Sequence, residues 1–135
     1  MLIDFSELTP PRRPNWCLAL PEAWKGAHAK LSVPSFPVAR GRLREATVHA
    51  IREEPRTNLI RLDKQARQAE FEQRSAIFGF ADCVVIEFVE LGPEESSLAI
   101  YSRSKTGYWD LGVNCRRIRR WLAAVASELE ENTEK

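Results

Sequence analysis

The 135-residue chain has only three cysteines, two histidines and one methionine, and its formal net charge is +1. Each scarcity excludes something. Cys17, Cys83 and Cys115 form no CxxC pair, and neither His28 nor His49 has a cysteine at ligand spacing, so no metal site is expected. An odd number of widely spaced cysteines reads most simply as reduced and unpaired. A charge balance near zero gives no global field to draw the chain onto nucleic acid or an anionic surface. No apolar run approaches the ~20 residues that cross a bilayer. The opening MLIDFSELTPPRRP carries acids where an export signal needs basic charge. A cytoplasmic protein without a transmembrane segment is therefore expected. Neither GxGxxG nor GxxxxGK(S/T) occurs, so no cofactor is expected from a phosphate-cradling loop.

What is present has a clear order. Residues 1–37 are punctuated by prolines, which bias the chain toward extended geometry, and read as an arm packed on the rest. Trp16, Leu18, Leu20 and Trp24 are its expected anchors. One short helical turn is expected within residues 22–30. Residues 38–131 then read as a single α+β domain, large enough to bury a core without staples, with a frayed tail at 132–135. A helix over about Val38–Glu53 places Leu43, Thr47, Ala50 and Ile51 on one face, and Pro55 follows it. Four strand-like runs come next, at about Asn58–Leu62, Ala69–Phe78, Cys83–Leu91 and Ser97–Ser104. Their short connections, including the turn signal Gly92-Pro93-Glu94-Glu95, predict an antiparallel four-stranded sheet, because parallel pairing needs crossovers of about a dozen residues or more. Ile118, Trp121, Leu122, Val125 and Leu129 then fall on one stripe of a C-terminal amphipathic helix packed on one sheet face, with Asn114 as its expected N-cap.

The densest polar stretch is YSRSKTGYWDLGVN, Tyr101–Asn114, followed by Arg116 and Arg117. Together with RPN at Arg13–Asn15, PRT at Pro55–Thr57 and QRSA at Gln73–Ala76, it resembles the family named domain of unknown function 1499. The resemblance spans about Pro14 to Val125. It implies no established activity. Relatives often carry an added membrane segment or lipoprotein signal that is not expected here. This chain has Ala81 and Cys115 where relatives tend to have proline and a basic residue.

The candidate site follows from strand alternation. Ser102 and Ser104 share one face of their strand, Tyr101 and Arg103 the other. Convergence of the strands on the GYWD turn would gather Arg74, Arg103, Asp110 and Asn114. Such a cluster is either an anion pocket, since guanidinium forks suit planar oxyanions, or an Arg–Asp network that fixes the turn. Ser104, Tyr108 and Arg117 complete the candidate surface. Gly107 and Gly112 are expected to shape the turn, and one of Tyr108 and Trp109 to cover a core edge. Arg116, Arg117, Arg119 and Arg120 form a basic stripe, which with Arg40, Arg42 and Arg44 is either a solvated face or a polyanion patch. Basic residues at a helix N-terminus oppose its dipole, which favours anionic neighbours. Cys115, expected at the first helical position, and His49, expected on the polar side of its helix, lack partners for chemistry. No spacing argument joins Asp82 to Asp110 as an acid–base pair.

The expected function is a non-catalytic binding or accessory module with no catalytic residues. Its partner would be a protein, including a membrane-associated complex, or a small anion; nucleic acid is not expected. The alternative is a small hydrolase-like enzyme using Asp110 and Arg103.

Overall fold

The structure is a computed structural model, described here for residues 3–24, 28–105 and 112–134. Its elements run β1 (Trp16–Pro21), β2 (Leu31–Val33), α1 (Arg40–Arg52), β3 (Thr57–Leu62), β4 (Gln68–Arg74), β5 (Ala81–Gly92), β6 (Glu95–Ser104) and α2 (Val113–Glu134). The fold is α+β, but the sheet has six strands in the order β2-β1-β6-β5-β4-β3 rather than four. The four expected strands form an antiparallel meander, β3 to β6, as their short connections required. The two additional strands come from the proline-punctuated segment. β1 pairs antiparallel with β6, matching Cys17 to Ser102 and Ala19 to Ile100. β2 pairs with β1 in parallel, Ala19 beside Leu31, making the sheet mixed. Residues 22–30 join them by a link shorter than the usual parallel crossover, which is why the connection-length rule did not foresee the pair. Pro21 closes the strand, where its missing donor costs no interior ladder bond.

Both helices lie on one face of the sheet. Leu43, Ala46, Thr47, Ala50 and Ile51 bury the inner side of α1. Ile118, Trp121, Val125 and Leu129 of α2 join them in one cluster with Cys17, Ala19, Phe71, Val84, Ile86, Phe88, Leu98 and Ile100. Trp121 meets Phe71 edge-on at 5.8 Å, the geometry that sets a positive ring edge against a negative ring face. The opposite face carries Leu18, Leu20, Cys83, Val85, Val89, Ala99 and Tyr101, covered by Phe5 with Ile3 and Leu8 beside it. Strand alternation therefore decides which side chains meet α2. Even-numbered residues of β5 and β6 face the helices, as do Phe71 and Gln73 of β4.

A disulfide joins Cys17 of β1 to Cys115 of α2, with Cα atoms 5.1 Å apart and a sequence separation of 98. This corrects the reading of three unpaired cysteines: sequence separation hid the pairing, because the partner of Cys17 lies in the last element. Cys83 stays free and buried.

Candidate functional site

A buried polar network sits where β1, β4, β5 and β6 meet the start of α2. Its centre is Arg117, whose side chain is 8% exposed. The guanidinium donates from Nη2 to Asp82 at 2.6 Å, from Nε to Gln73 at 2.5 Å, and from Nη1 to Asn114 Oδ1 at 2.8 Å and Ser102 Oγ at 3.1 Å. Ser102 in turn donates to Asn114 Oδ1 at 2.6 Å. The Asn114 amide reaches the Asn15 carbonyl at 3.1 Å and Ser104 Oγ at 3.0 Å. Gln73 also donates to the Pro55 carbonyl at 3.1 Å. Alternation supplies the strand partners of Arg117: Gln73, Asp82 and Ser102 occupy helix-facing positions in three adjacent strands. A buried guanidinium is tolerated only with its donors satisfied, and the planar fork suits this one.

Above the network lies a hollow of about 530 Å³ lined by six arginines: Arg56, Arg74, Arg116, Arg117, Arg119 and Arg120. Gln73, Ser75, Asp82, Val113 and Trp121 complete its walls. Arg117 and Asp82 neutralise each other. Arg120 pairs with Glu54 at 3.1 Å and Arg74 with Glu72 at 3.2 Å. Glu72 is held below the usual carboxylate range, first by a hydrogen bond from Lys105 and then by the Arg74 charge. Arg56 and Arg119 form no ion pair with any described residue, so the hollow keeps a positive excess. Arg56, in a left-handed conformation with φ of 54°, is tied to β4 by its Nε on the Arg74 carbonyl at 3.0 Å. The indole N–H of Trp121 is buried and makes no hydrogen bond to any described residue.

The structure brings Ser104, Asn114 and Arg117 together, and places Arg74 on the rim of the same hollow. Arg103 lies elsewhere. It projects from the face away from α2, in a separate hollow with Arg61, Asp63, Glu70 and Cys83. Its odd position in β6 dictates this, since Ser102 and Ser104 already fill the helix-facing places. Tyr108 and Asp110, with Gly107 and Trp109, lie outside the described residues. Asn114 does not cap α2. The helix begins at Val113, and the Arg116 N–H donates to the Gly112 carbonyl at 3.0 Å, leaving the Asn114 side chain for the network. Gly112 holds φ at 79°, a conformation glycine adopts without strain. Cys115 is the third helical residue and disulfide-bonded, so no thiolate forms there. Burial pushes the Cys83 thiol up, with the nearby Glu70 charge adding to it, which leaves that thiol inert. His49 is exposed and bonded to Glu128 at 2.6 Å, the contact that raises its affinity for a proton.

Sequence reasoning left Asn15, Arg56, Gln73, Asp82 and Ser102 out of the candidate site. Gln73, Asp82 and Ser102 carried a usable signal, because each occupies an alternation position shared with a buried apolar residue of the same strand. The structure also joins fragments far apart in sequence: Asn15 of RPN, Pro55 and Arg56 of PRT, Gln73 and Arg74 of QRSA, and Ser102, Ser104, Asn114 and Arg117 all meet here.

The sequence pattern described as Protein of unknown function (DUF1499) matches residues 9–125. The chain belongs to the DUF1499 family. The match takes in every member of the network, from Asn15 to Arg117, and both bonded cysteines. No curated protein matches the chain in sequence. Among solved structures, TTHA0849 from Thermus thermophilus is similar over 73% of this chain and 92% of its own, at 10% identity and a TM-score of 0.35. Among the described residues, this DUF1499 chain has no helix long and apolar enough to cross a membrane.

Proposed function

We propose that this DUF1499 chain is a non-catalytic binding module that takes an anionic group, phosphate or carboxylate, in the arginine hollow beside the start of α2. The observation that carries the reading is the convergence of six arginines from three separate segments on one concavity, with Arg56 and Arg119 lacking carboxylate partners among the described residues. Guanidinium forks bind planar or tetrahedral oxyanions through paired N–H donors. Four of the five N–H donors of Arg117 are already taken by Asp82, Gln73, Ser102 and Asn114, so it serves as the fixed floor rather than as a ligand. The exposed arginines around it are the binding groups. Arg103, which the hydrolytic alternative would use, lines a different hollow on the other face of the sheet, and its companion Asp110 lies outside the described residues. The accessory role expected from the sequence is part of this same proposal. The Cys17–Cys115 disulfide favours an oxidising compartment over the cytoplasmic setting expected from the sequence.

The test is thermal unfolding in inorganic phosphate or citrate at low ionic strength. Ligand that binds only the folded state raises the melting temperature, by about 2.7 kcal/mol of stability at a hundredfold excess over Kd. The rise should occur for the native chain and disappear in Arg56→Gln/Arg119→Gln. An equal rise in both proteins, or none in either, would sink the reading.

A further inference from the structure

Among the described residues, the turn between β4 and β5 carries the most exposed large apolar side chains. Ile77 is 85% exposed, Phe78 73% and Phe80 54%. A lone exposed apolar residue needs no explanation, but three close together at an apex do. This apex is a built turn. The Ser75 backbone N–H donates to the Phe80 carbonyl at 2.9 Å, and Ser75 Oγ accepts from the Phe80 N–H at 3.0 Å. Gly79 holds φ at 67°, and its carbonyl accepts from Arg74 Nη1 at 2.9 Å. The rings of Phe78 and Phe80 stack at 5.4 Å, which fixes them to each other rather than to the core. Arg74 and Ser75, the base of this turn, are also walls of the arginine hollow, so apolar apex and cationic concavity are one continuous surface.

We infer that this surface docks on an anionic lipid bilayer, with Ile77, Phe78 and Phe80 entering the acyl boundary and the hollow taking a headgroup phosphate. The pairing of chemistries carries the assignment. Apolar side chains that enter a bilayer gain affinity from burial, and cations beside them gain it from anionic lipid. A convex apex flanked by arginines matches that two-layered surface, whereas an apolar protein groove would leave the arginines facing nothing of opposite charge. The inference rests on the anion reading of the hollow and names the source of the anion.

Co-sedimentation with phosphatidylcholine vesicles, with and without phosphatidylglycerol, tests it, alongside phosphate-dependent melting of the same proteins. Binding to vesicles containing phosphatidylglycerol should exceed binding to phosphatidylcholine alone by about tenfold or more, and should fall steeply with salt. The variant Ile77→Ser/Phe78→Ser/Phe80→Ser, altered only at exposed positions, should lose about tenfold or more of the vesicle affinity while keeping its stabilisation by phosphate. Vesicle binding that is equal on both lipids, or unchanged in the triple variant, would overturn the inference. Stabilisation by phosphate without any vesicle binding would overturn it and leave the anion site standing. Loss of both would remove the anion site too.

Discussion

At the scale of single residues, two arginines separate structure from surface. Arg117 and Asp82 are removed from water together, at 8% and 13% side-chain exposure, and three further groups accept from Nε and Nη1 of Arg117. Such an arrangement contributes little by comparison with a well-packed apolar alternative, but removing one partner strands the other without solvent. Arg117→Ala should therefore lose about 3–5 kcal/mol in chemical denaturation, and Asp82→Ala a similar amount, with the double variant losing less than the sum. Arg103, exposed on the far side of the sheet, is a contrast at one sequence neighbour's distance from Ser102. Arg103→Ala should change stability by no more than about 0.5 kcal/mol. A larger loss from Arg103→Ala than from Arg117→Ala would contradict the placement of both. Period-two alternation already separated Ser102 and Ser104 from Arg103 on paper. What no local pattern could supply was which side α2 would cover, and hence which set would meet Asn114.

At the scale of elements, legibility followed the strength of periodicity. α1 and α2 were readable because their apolar positions recur at helical spacing; Leu43, Thr47, Ala50 and Ile51 are all buried, as are Ile118, Trp121, Val125 and Leu129. β3 to β6 were readable because each is bounded by turn residues and joined to the next by a short connection, although β4 stops at Arg74 where Ser75 starts the turn. β1 was not. WCLALP is buried on both faces, Cys17 and Ala19 toward the helices and Leu18 and Leu20 toward Phe5, so it shows no alternation of apolar and polar residues. A short apolar run among prolines looks the same whether it is an anchor or a strand. The disulfide from this strand to α2 then fixes the element that supplies Arg117. Closing a loop of about a hundred residues restricts the unfolded chain strongly, and such bonds commonly add about 2–4 kcal/mol. Cys17→Ala/Cys115→Ala, or reduction of the native protein, should lower stability by that amount in urea unfolding. An unchanged midpoint under reductant, with free thiols verified by mass, would show that the bond does not hold β1 to α2.

At the scale of the whole molecule, the sheet divides the protein into two unlike sides. One side is the helical core with the buried network at its end. The other is a smaller cluster over which residues 3–8 lie. Arg56, Arg74, Ser75, Arg116 and Arg119, from separate segments of the chain, converge at the end of the sheet where the first side opens to solvent, as a cationic hollow with an apolar apex beside it. The chain's charge balance near zero concealed this, since a formal +1 averages an arginine cluster against a glutamate-rich C-terminal stretch. Local charge, placed by the fold, is what the account depends on. Its most direct test is a phosphate titration followed residue by residue in amide NMR spectra. Shifts should concentrate at Arg56, Ser75 and Arg119 and leave Arg103 and Glu70 unmoved. Shifts centred on Arg103, or none at saturating phosphate, would contradict the assignment of the working surface.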